Sequence, residues 1–396
     1  MKPRRSPNSA RPTAPPRVRW GALAAAAALV ATLAWAQEPA DDPEGDRFVE
    51  DLAGTTFEDA FGELQLEAPE SADAFVAGAF SDEIMVEILT VHLRVLDPYG
   101  QPVEDLAPED VVATIGQTPV PVTAVDYYDY AAVRGAPEFP ESFDEVERRA
   151  LLELVAPEPP PRKVVIVMQI GGHDVAYLEP SYVRGHQQSL PGIGALIDSL
   201  APQDWVALLA YDVKLKVWSD FTQDHAAVKA LLPETIGFAT PPPARADTDG
   251  PSLQRWIRPG RFEDATNPGL AMATIADGLG RMPGDKDIIY VGWDVGGHHM
   301  TLRELLRSEV RVSVLDVTQA DGHLLAVGLK TMATATGGTY ESIFRWPRRA
   351  PRRIARSIAG HHTVTLDMEA VRSATGTLRI EVPDRDVAVH MKSYVF

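Results

Sequence analysis

Two short stretches of this 396-residue chain carry side chains able to ligate a metal. His173 and Asp174 follow one unbroken apolar run, and Asp294, His298 and His299 follow another. Two or three imidazoles with one or two carboxylates suit Zn²⁺ or another transition ion, whereas Mg²⁺ asks for hard oxygen ligands. A histidine in a loop is more often a plain surface residue, so both readings stand at this point. Other catalytic chemistry finds no support. The absence of Cys excludes a thiolate zinc site, a Cys nucleophile, a disulfide scaffold and a bacterial lipoprotein anchor. No Gly-x-Ser-x-Gly elbow occurs, and no Walker loop or Gly-x-Gly-x-x-Gly follows a strand-like run. Gly171-Gly172 is too short for a phosphate cradle. Glu109-Asp110 suits the start of a helical turn better than acid–base work.

The elements that must position those loops alternate β and α. Val164–Met168 is apolar throughout, as central parallel strands covered on both faces are. Strands are expected at Trp205–Tyr211, Asp287–Val291, Arg311–Val317 and Thr339–Ile343, with Lys214–Trp218 as an antiparallel edge. Helices are expected at Asp224–Leu232, Gly269–Leu279, Thr301–Ser308 and Leu324–Ala335, the last stopped by Gly337-Gly338. This alternation predicts a doubly wound parallel sheet. Its loops gather at the carboxyl edge of the strands, which would bring Gln169–Asp174 near Asp294–His299. Residues 237–265, with Pro241-Pro242-Pro243, read as an insertion that is either functional or mobile.

The flanks alternate with period two. In Val86–Leu96 the apolar set Leu89, Val91, Leu93 and Val95 should face a core. Asp97–Gly100 is a turn, Asp105–Asp110 a short helical turn, and Val111–Ile115 with Val120–Val125 a hairpin about Gly116-Gln117. Three more strands are expected at His362–Met368, Thr375–Val382 and Val387–Val395, so both ends of the chain could build one β unit. Between the two regions lie a helix at Glu141–Leu154 and a stiff Pro157–Pro161 spacer. Arg345, Arg348, Arg349, Arg352, Arg353 and Arg356 form a basic cluster, read as a solvated helix face or as a contact for an acidic partner.

The N-terminus reads as an export signal. A basic, Pro-rich stretch precedes the apolar run Gly21–Trp35, which ends in Ala34-Trp35-Ala36. The run falls short of the ~20 residues that span a bilayer, and no later segment is apolar enough to cross one. The alternative is an uncleaved signal anchor. Cleavage before Gln37 removes six basic residues and takes the formal charge from −19 to −25. So acidic a chain is a poor non-specific nucleic-acid binder. Between Glu38 and Glu87 there are 16 acids and one base, an acidic leader with Phe57–Leu66 as a possible helix.

Several stretches together resemble the bacterial VWFA-related proteins, exported chains with a von Willebrand factor type A domain. They are Asp97-Pro98-Tyr99-Gly100-Gln101-Pro102-Val103 followed by Leu106–Asp110, Lys163–Gln169, Met332–Tyr340, and the tail Met391–Phe396. The resemblance covers roughly 85–396. It implies a Rossmann-like A domain with β elements on both sides, and binding rather than catalysis. It also implies a site: Asp-x-Ser-x-Ser after the first strand, a Thr before a central helix and an Asp after a later strand hold Mg²⁺, which a partner's carboxylate completes. This chain departs there. The first motif reads Gln169-Ile170-Gly171-Gly172-His173, Pro268 stands at the Thr position beside Thr266 and Asn267, and Asp294 is the one plausible carboxylate left.

The division expected is a signal peptide at 1–36, an acidic leader at 37–84, a β module at 85–128, and a helix with Pro-rich linker at 129–162. An α/β, Rossmann-like doubly wound type A domain follows at 163–345, and an Arg-rich helix with β strands at 346–396. The function expected is that of an exported, periplasmic or secreted, non-enzymatic module. It binds a protein or envelope component through Gln169, Gly171, His173, Asp174, Pro268 and Asp294, with the metal site lost and no cofactor. The alternative is a metal-dependent exported enzyme, or a Zn²⁺ or Mg²⁺ binder, built on His173, Asp294, His298 and His299.

Overall fold

Period-two alternation folds Ile88–Leu96 as strand β1, with Val91, Leu93 and Val95 buried. In the turn that follows, the Asp97 carboxylate accepts from the N–H groups of Tyr99 and Gln101, and Gly100 takes a φ of +76°. Pro108–Asp110 is one 3₁₀ turn, held by Asp110 accepting from the Ala107 N–H. β2 (Val112–Ile115) and β3 (Thr118–Val120) form a hairpin about Gly116 at φ +58°. The second arm of that hairpin is shorter than expected. Pro121 has no N–H to continue the ladder, and beyond it β4 (Val122–Asp129) pairs in a different sheet.

The computed structural model describes residues 88–130, 161–171, 180–237, 239–243, 250–296 and 298–396. The expected export signal, acidic leader and Glu141–Leu154 helix, together with His173 and Asp174, lie outside the described residues.

Lys163–Gln169 forms β5, buried along its whole length. The chain continues through α1 (Pro180–Asp198), β6 (Trp205–Tyr211), β7 (Leu215–Thr222) and α2 (His225–Ile236). Then come α3 (Leu253–Trp256), α4 (Pro259–Asp264), α5 (Pro268–Gly280), β8 (Lys286–Gly292), α6 (His298–Arg307), β9 (Arg311–Asp316), α7 (Ala326–Ala335), β10 (Tyr340–Ser342) and α8 (Arg349–Ser357). The strands build one sheet of order β10-β9-β8-β5-β6-β7, parallel except for the β7 edge. Alternate residues of β5 serve opposite layers. Val165 and Val167 pack with Met272, Ile275 and Leu279 of α5, and Val164, Ile166 and Met168 pack with Ile193, Leu196 and Ile197 of α1. Each such side chain contributes about 1.5–3 kcal/mol by leaving water.

Two departures from the expected elements have physical causes. α1 is unanticipated because Gly185, Pro191, Gly192 and Gly194 interrupt its helical pattern. The glycines serve packing: a Cβ at Gly185 would lie 2.0 Å from the Val317 carbonyl oxygen, and one at Gly192 2.6 Å from the Pro351 ring. The described part of the 237–265 insertion is docked. Buried Asp220 accepts from Ser252 Oγ at 2.6 Å and from the Leu253 N–H at 2.9 Å, and Leu253 and Ile257 enter the core.

The chain ends in β11 (Gly360–Asp367), α9 (Met368–Ser373), β12 (Leu378–Glu381) and β13 (Ala388–Met391). They pair with the first strands, giving sheets β13-β1-β11-β4 and β12-β2-β3 around one core that includes Val91, Ile115, Leu366 and Ile380. The fold is α/β: a Rossmann-like doubly wound sheet flanked by β-rich elements from both ends.

Candidate functional site

The carboxyl ends of β5, β6 and β8 carry the predicted site. β5 ends at Gln169, which is wholly buried. Its Oε1 accepts from the Trp293 N–H at 2.8 Å and the Asp294 N–H at 3.1 Å, with the Tyr290 hydroxyl at 3.0 Å. The same hydroxyl reaches the Asp294 carbonyl. Burial pushes the Tyr290 pKa well up, so the phenol stays a donor. Gln169 Nε2 is buried with no hydrogen-bond partner. One amide thus ties the loop after β5 to the loop after β8.

Bare backbone fills the space around this clasp. The N–H groups of Ile170 and Gly171 both donate to the Tyr211 carbonyl, at 2.7 and 3.1 Å. A Cβ at Gly171 would lie 2.1 Å from the Asp212 carbonyl oxygen. Gly269, in the first turn of α5, is pressed likewise on the Gly296 carbonyl, where a Cβ would come within 2.4 Å. Pro268 opens α5, with Asn267 as its cap: Asn267 Oδ1 accepts from the Leu270 N–H at 2.8 Å. Pro suits a first helical position because the N–H it lacks would have no intrahelical partner. Asp294 Oδ1 accepts from the Gly296 N–H at 2.9 Å.

The structure brings Gln169, Gly171, Pro268 and Asp294 to one edge. His298 and His299 begin α6, but their side chains, like the whole of His173 and Asp174, lie outside the described residues. Among the described residues no group of three His, Asp or Glu side chains could hold a metal ion. Two aromatic residues that sequence reasoning missed, Tyr182 and His186, join Trp293 here. Tyr182 stacks on Trp293 with ring centroids 4.3 Å apart, and His186 meets Trp293 edge-on. His186 donates from Nε2 to the Gln169 carbonyl at 2.6 Å, and burial lowers its pKa to about 4. Trp293 directly precedes Asp294 in the sequence, whereas Tyr182 and His186 belong to the unanticipated helix.

A second polar cluster lies at the opposite, amino edge, and no sequence motif announced it. Asp287 of β8 holds Arg94 of β1 at 2.7 Å and Arg311 at 3.2 Å, with Arg162 3.7 Å away. Arg162 also meets Asp204 at 2.5 Å, and Arg311 meets Asp285 at 3.2 Å. Buried Tyr130 donates to Asp285 at 2.6 Å, accepts from Arg311 at 3.1 Å, and lies under the Arg162 guanidinium. Burial opposes the charge on Asp287, yet the surrounding arginines lower its pKa to about 2. This cluster joins the β unit to the doubly wound sheet.

No protein-family model matches the sequence, and no curated protein does. Solved structures are similar at low level. An aerotolerance-related membrane protein from Bacteroides fragilis is 16% identical over 50% of this chain and 98% of its own, with a TM-score of 0.34. BatB from Bacteroides thetaiotaomicron is 15% identical over 50% and 97%, also at 0.34. A von Willebrand factor type A protein from Catenulispora acidiphila is 15% identical over 50% of this chain and 42% of its own, at 0.33. Similarity of that size carries no weight for function, and the strand order stands without it. Counted from β5, the order is 3-2-1-4-5-6 with the third strand antiparallel at the edge. That order, with its antiparallel edge, is the one the type A resemblance implies. Gln169 ends one central strand and Asp294 follows the other, on either side of the switch point where ligands of doubly wound sheets bind.

Proposed function

We propose that this chain is an exported, non-enzymatic type A module that binds a protein or envelope component through the carboxyl edge of its sheet, without a metal. One observation carries the reading: Gln169 stands where the type A motif places its first carboxylate, and its carbonyl oxygen accepts from the donors of the neighbouring loop. An oxygen that already accepts from two backbone N–H groups faces their positive ends, which repel a cation. The other half of the amide is a donor and ligates nothing. Gly171 supplies no side chain, Pro268 supplies no hydroxyl, and Asp294 alone lacks the charge to offset Mg²⁺ dehydration. The described residues therefore do not fit Mg²⁺. In the metal's place the edge presents Asp294 and Gly296 of the loop after β8, the capped start of α5 and the half-buried Tyr182 ring. Export is supported by the Gly21–Trp35 run and Ala34-Trp35-Ala36.

A thermal-shift series with EDTA, Mg²⁺ and Zn²⁺ tests the reading. Ligand stabilisation follows RT ln(1 + [L]/Kd) and vanishes when Kd exceeds the concentration used, so millimolar Mg²⁺ should leave the melt unchanged. A Mg²⁺-dependent rise lost in Asp294→Ala would overturn the metal-free module. A Zn²⁺ rise abolished by His173→Ala would favour the histidine site instead. Mass spectrometry of the exported chain should find Gln37 at its start, and a pull-down from the envelope fraction of the source organism would name the partner.

A further inference from the structure

The β9–β10 end of the carboxyl edge, away from the loops after β5 and β8, has an unusual surface. Leu324 is 89% exposed, Val327 66% and Trp346 62%, and Leu325 and Phe344 are also exposed. The three aliphatic residues lie at the start of α7, and the two aromatic residues lie between β10 and α8. Both loops leave adjacent parallel strands, and an Arg345–Asp321 ion pair at 2.5 Å joins them. The surroundings are basic. From Asp321 to Arg356 the sequence has seven Lys and Arg against Asp321 and Glu341, in a chain with a formal charge of −19. Both acids are already paired, Asp321 with Arg345 and Glu341 with Arg353. Arg348, Arg349, Arg352 and Arg356 are exposed. Three of them lie at the N-terminal end of α8, where the helix dipole disfavours a cation. Local stability does not explain their placement.

We propose that this corner seats on an anionic lipid bilayer. Leu324, Val327 and Trp346 enter the headgroup boundary, and the arginines of α8 meet lipid phosphates. Protruding apolar side chains beside a cluster of arginines are what an anionic interface accepts, and Trp is at home at headgroup depth. A bound peptide would need a walled groove, and a side chain as bare as Leu324 lines none. The acidic remainder of the molecule does not cancel the attraction, because charges beyond a Debye length of about 8 Å are screened. It orients the molecule instead, since the other faces are repelled.

The chain has no Cys, so one introduced thiol can carry a polarity-sensitive dye. The full chain is labelled at Val327→Cys and, separately, at Arg379→Cys, an exposed position on the β unit. Each is titrated with vesicles of phosphatidylcholine alone and of phosphatidylcholine mixed with phosphatidylglycerol. A local dye is chosen over co-sedimentation because the N-terminal apolar segment can bring the chain to lipid by itself. A blue shift is expected at residue 327 with the anionic vesicles only, and none at 379. Arg349→Gln/Arg352→Gln should weaken it about 25-fold, at about fivefold per arginine, and Trp346→Ala should weaken it too. No shift at 327, or equal shifts at both positions, overturns the proposal. So does a shift at 327 produced by soluble polyglutamate without vesicles, which would assign the corner to an acidic protein.

Discussion

Arg94 and Asp287 should prove to be coupled halves of the joint between the β unit and the doubly wound sheet. Arg94 is 1% exposed, and its guanidinium meets Asp287 2.7 Å away. Asp287 also serves Arg311 and Arg162, while Asp204 and Asp285 hold the same two arginines from the other side. Three guanidinium groups thus face three carboxylates. Arg94→Met or Asp287→Asn alone leaves one buried charge uncompensated, a cost of about 3–5 kcal/mol. Against a folding margin of about 5–15 kcal/mol, either loss is large. At about 2 °C per kcal/mol, the low end because the chain is long, melting should fall by about 6–10 °C. The double variant restores the balance of charge, so its loss should be smaller than the sum of the singles by about 2 kcal/mol. Urea unfolding at neutral pH, followed by tryptophan fluorescence and near-ultraviolet circular dichroism, gives all three values. Strict additivity would refute the coupling. A loss below about 1 kcal/mol for Arg94→Met would make the contact an ordinary solvated pair.

Buried His361 and His186 and half-buried His390 set a pH dependence: desolvation lowers the pKa of His361 to about 3 and of His186 and His390 to about 4. Below about 6.5 the unfolded chain takes up protons that the fold refuses, so stability is complete above that pH and is lost towards pH 4, by about 1.4 kcal/mol per unit for each histidine; urea midpoints unchanged between neutral pH and about pH 5 would mean that the fold protonates them. Gln169→Met keeps the side chain's length but strands the N–H groups of Trp293 and Asp294, at about 1–3 kcal/mol each. Amide exchange at both should quicken, and an unaltered exchange rate would show that the clasp is idle. Val167→Asp places an unpaired carboxylate in the central strand, at a cost of several kcal/mol, enough to unfold the domain; a melt as high as the parent's would contradict the central position of β5.

How far the fold was legible in the sequence depended on whether the local pattern and the packing demanded the same residues. Val164–Met168 is apolar on both faces because helices cover both, and a continuous run says so directly. Val91, Leu93 and Val95 alternate because only one face of β1 meets an apolar core. α1 was hidden for the opposite reason. Its glycines are poor helix formers, yet close approach to Val317 and Pro351 leaves no room for a Cβ, so tertiary packing overrode propensity. The hairpin's second arm was misjudged at a single residue, Pro121, whose missing N–H sends the chain to another sheet.

The site was legible as a substitution pattern and not as a geometry. Gln169, Gly171 and Pro268 stand out only where the type A resemblance expects Asp, Ser and Thr, and that comparison says what is lost without saying what replaces it. The replacement needs three dimensions. Gln169 works through Trp293 and Asp294, more than 120 residues away, and Gly171 and Gly269 are small because the backbones of Asp212 and Gly296 press on them. The joint at the amino edge is more hidden still. Arg94 falls on the face of β1 that alternation assigns to solvent, and only the fold reveals that Asp287 and Arg311 wait there. A charged residue at an outward position carries no mark of its partner, because ion pairing has no period along the chain. The contacts legible one residue at a time are therefore the apolar ones, whereas the polar contacts that lock this molecule together become legible only in pairs.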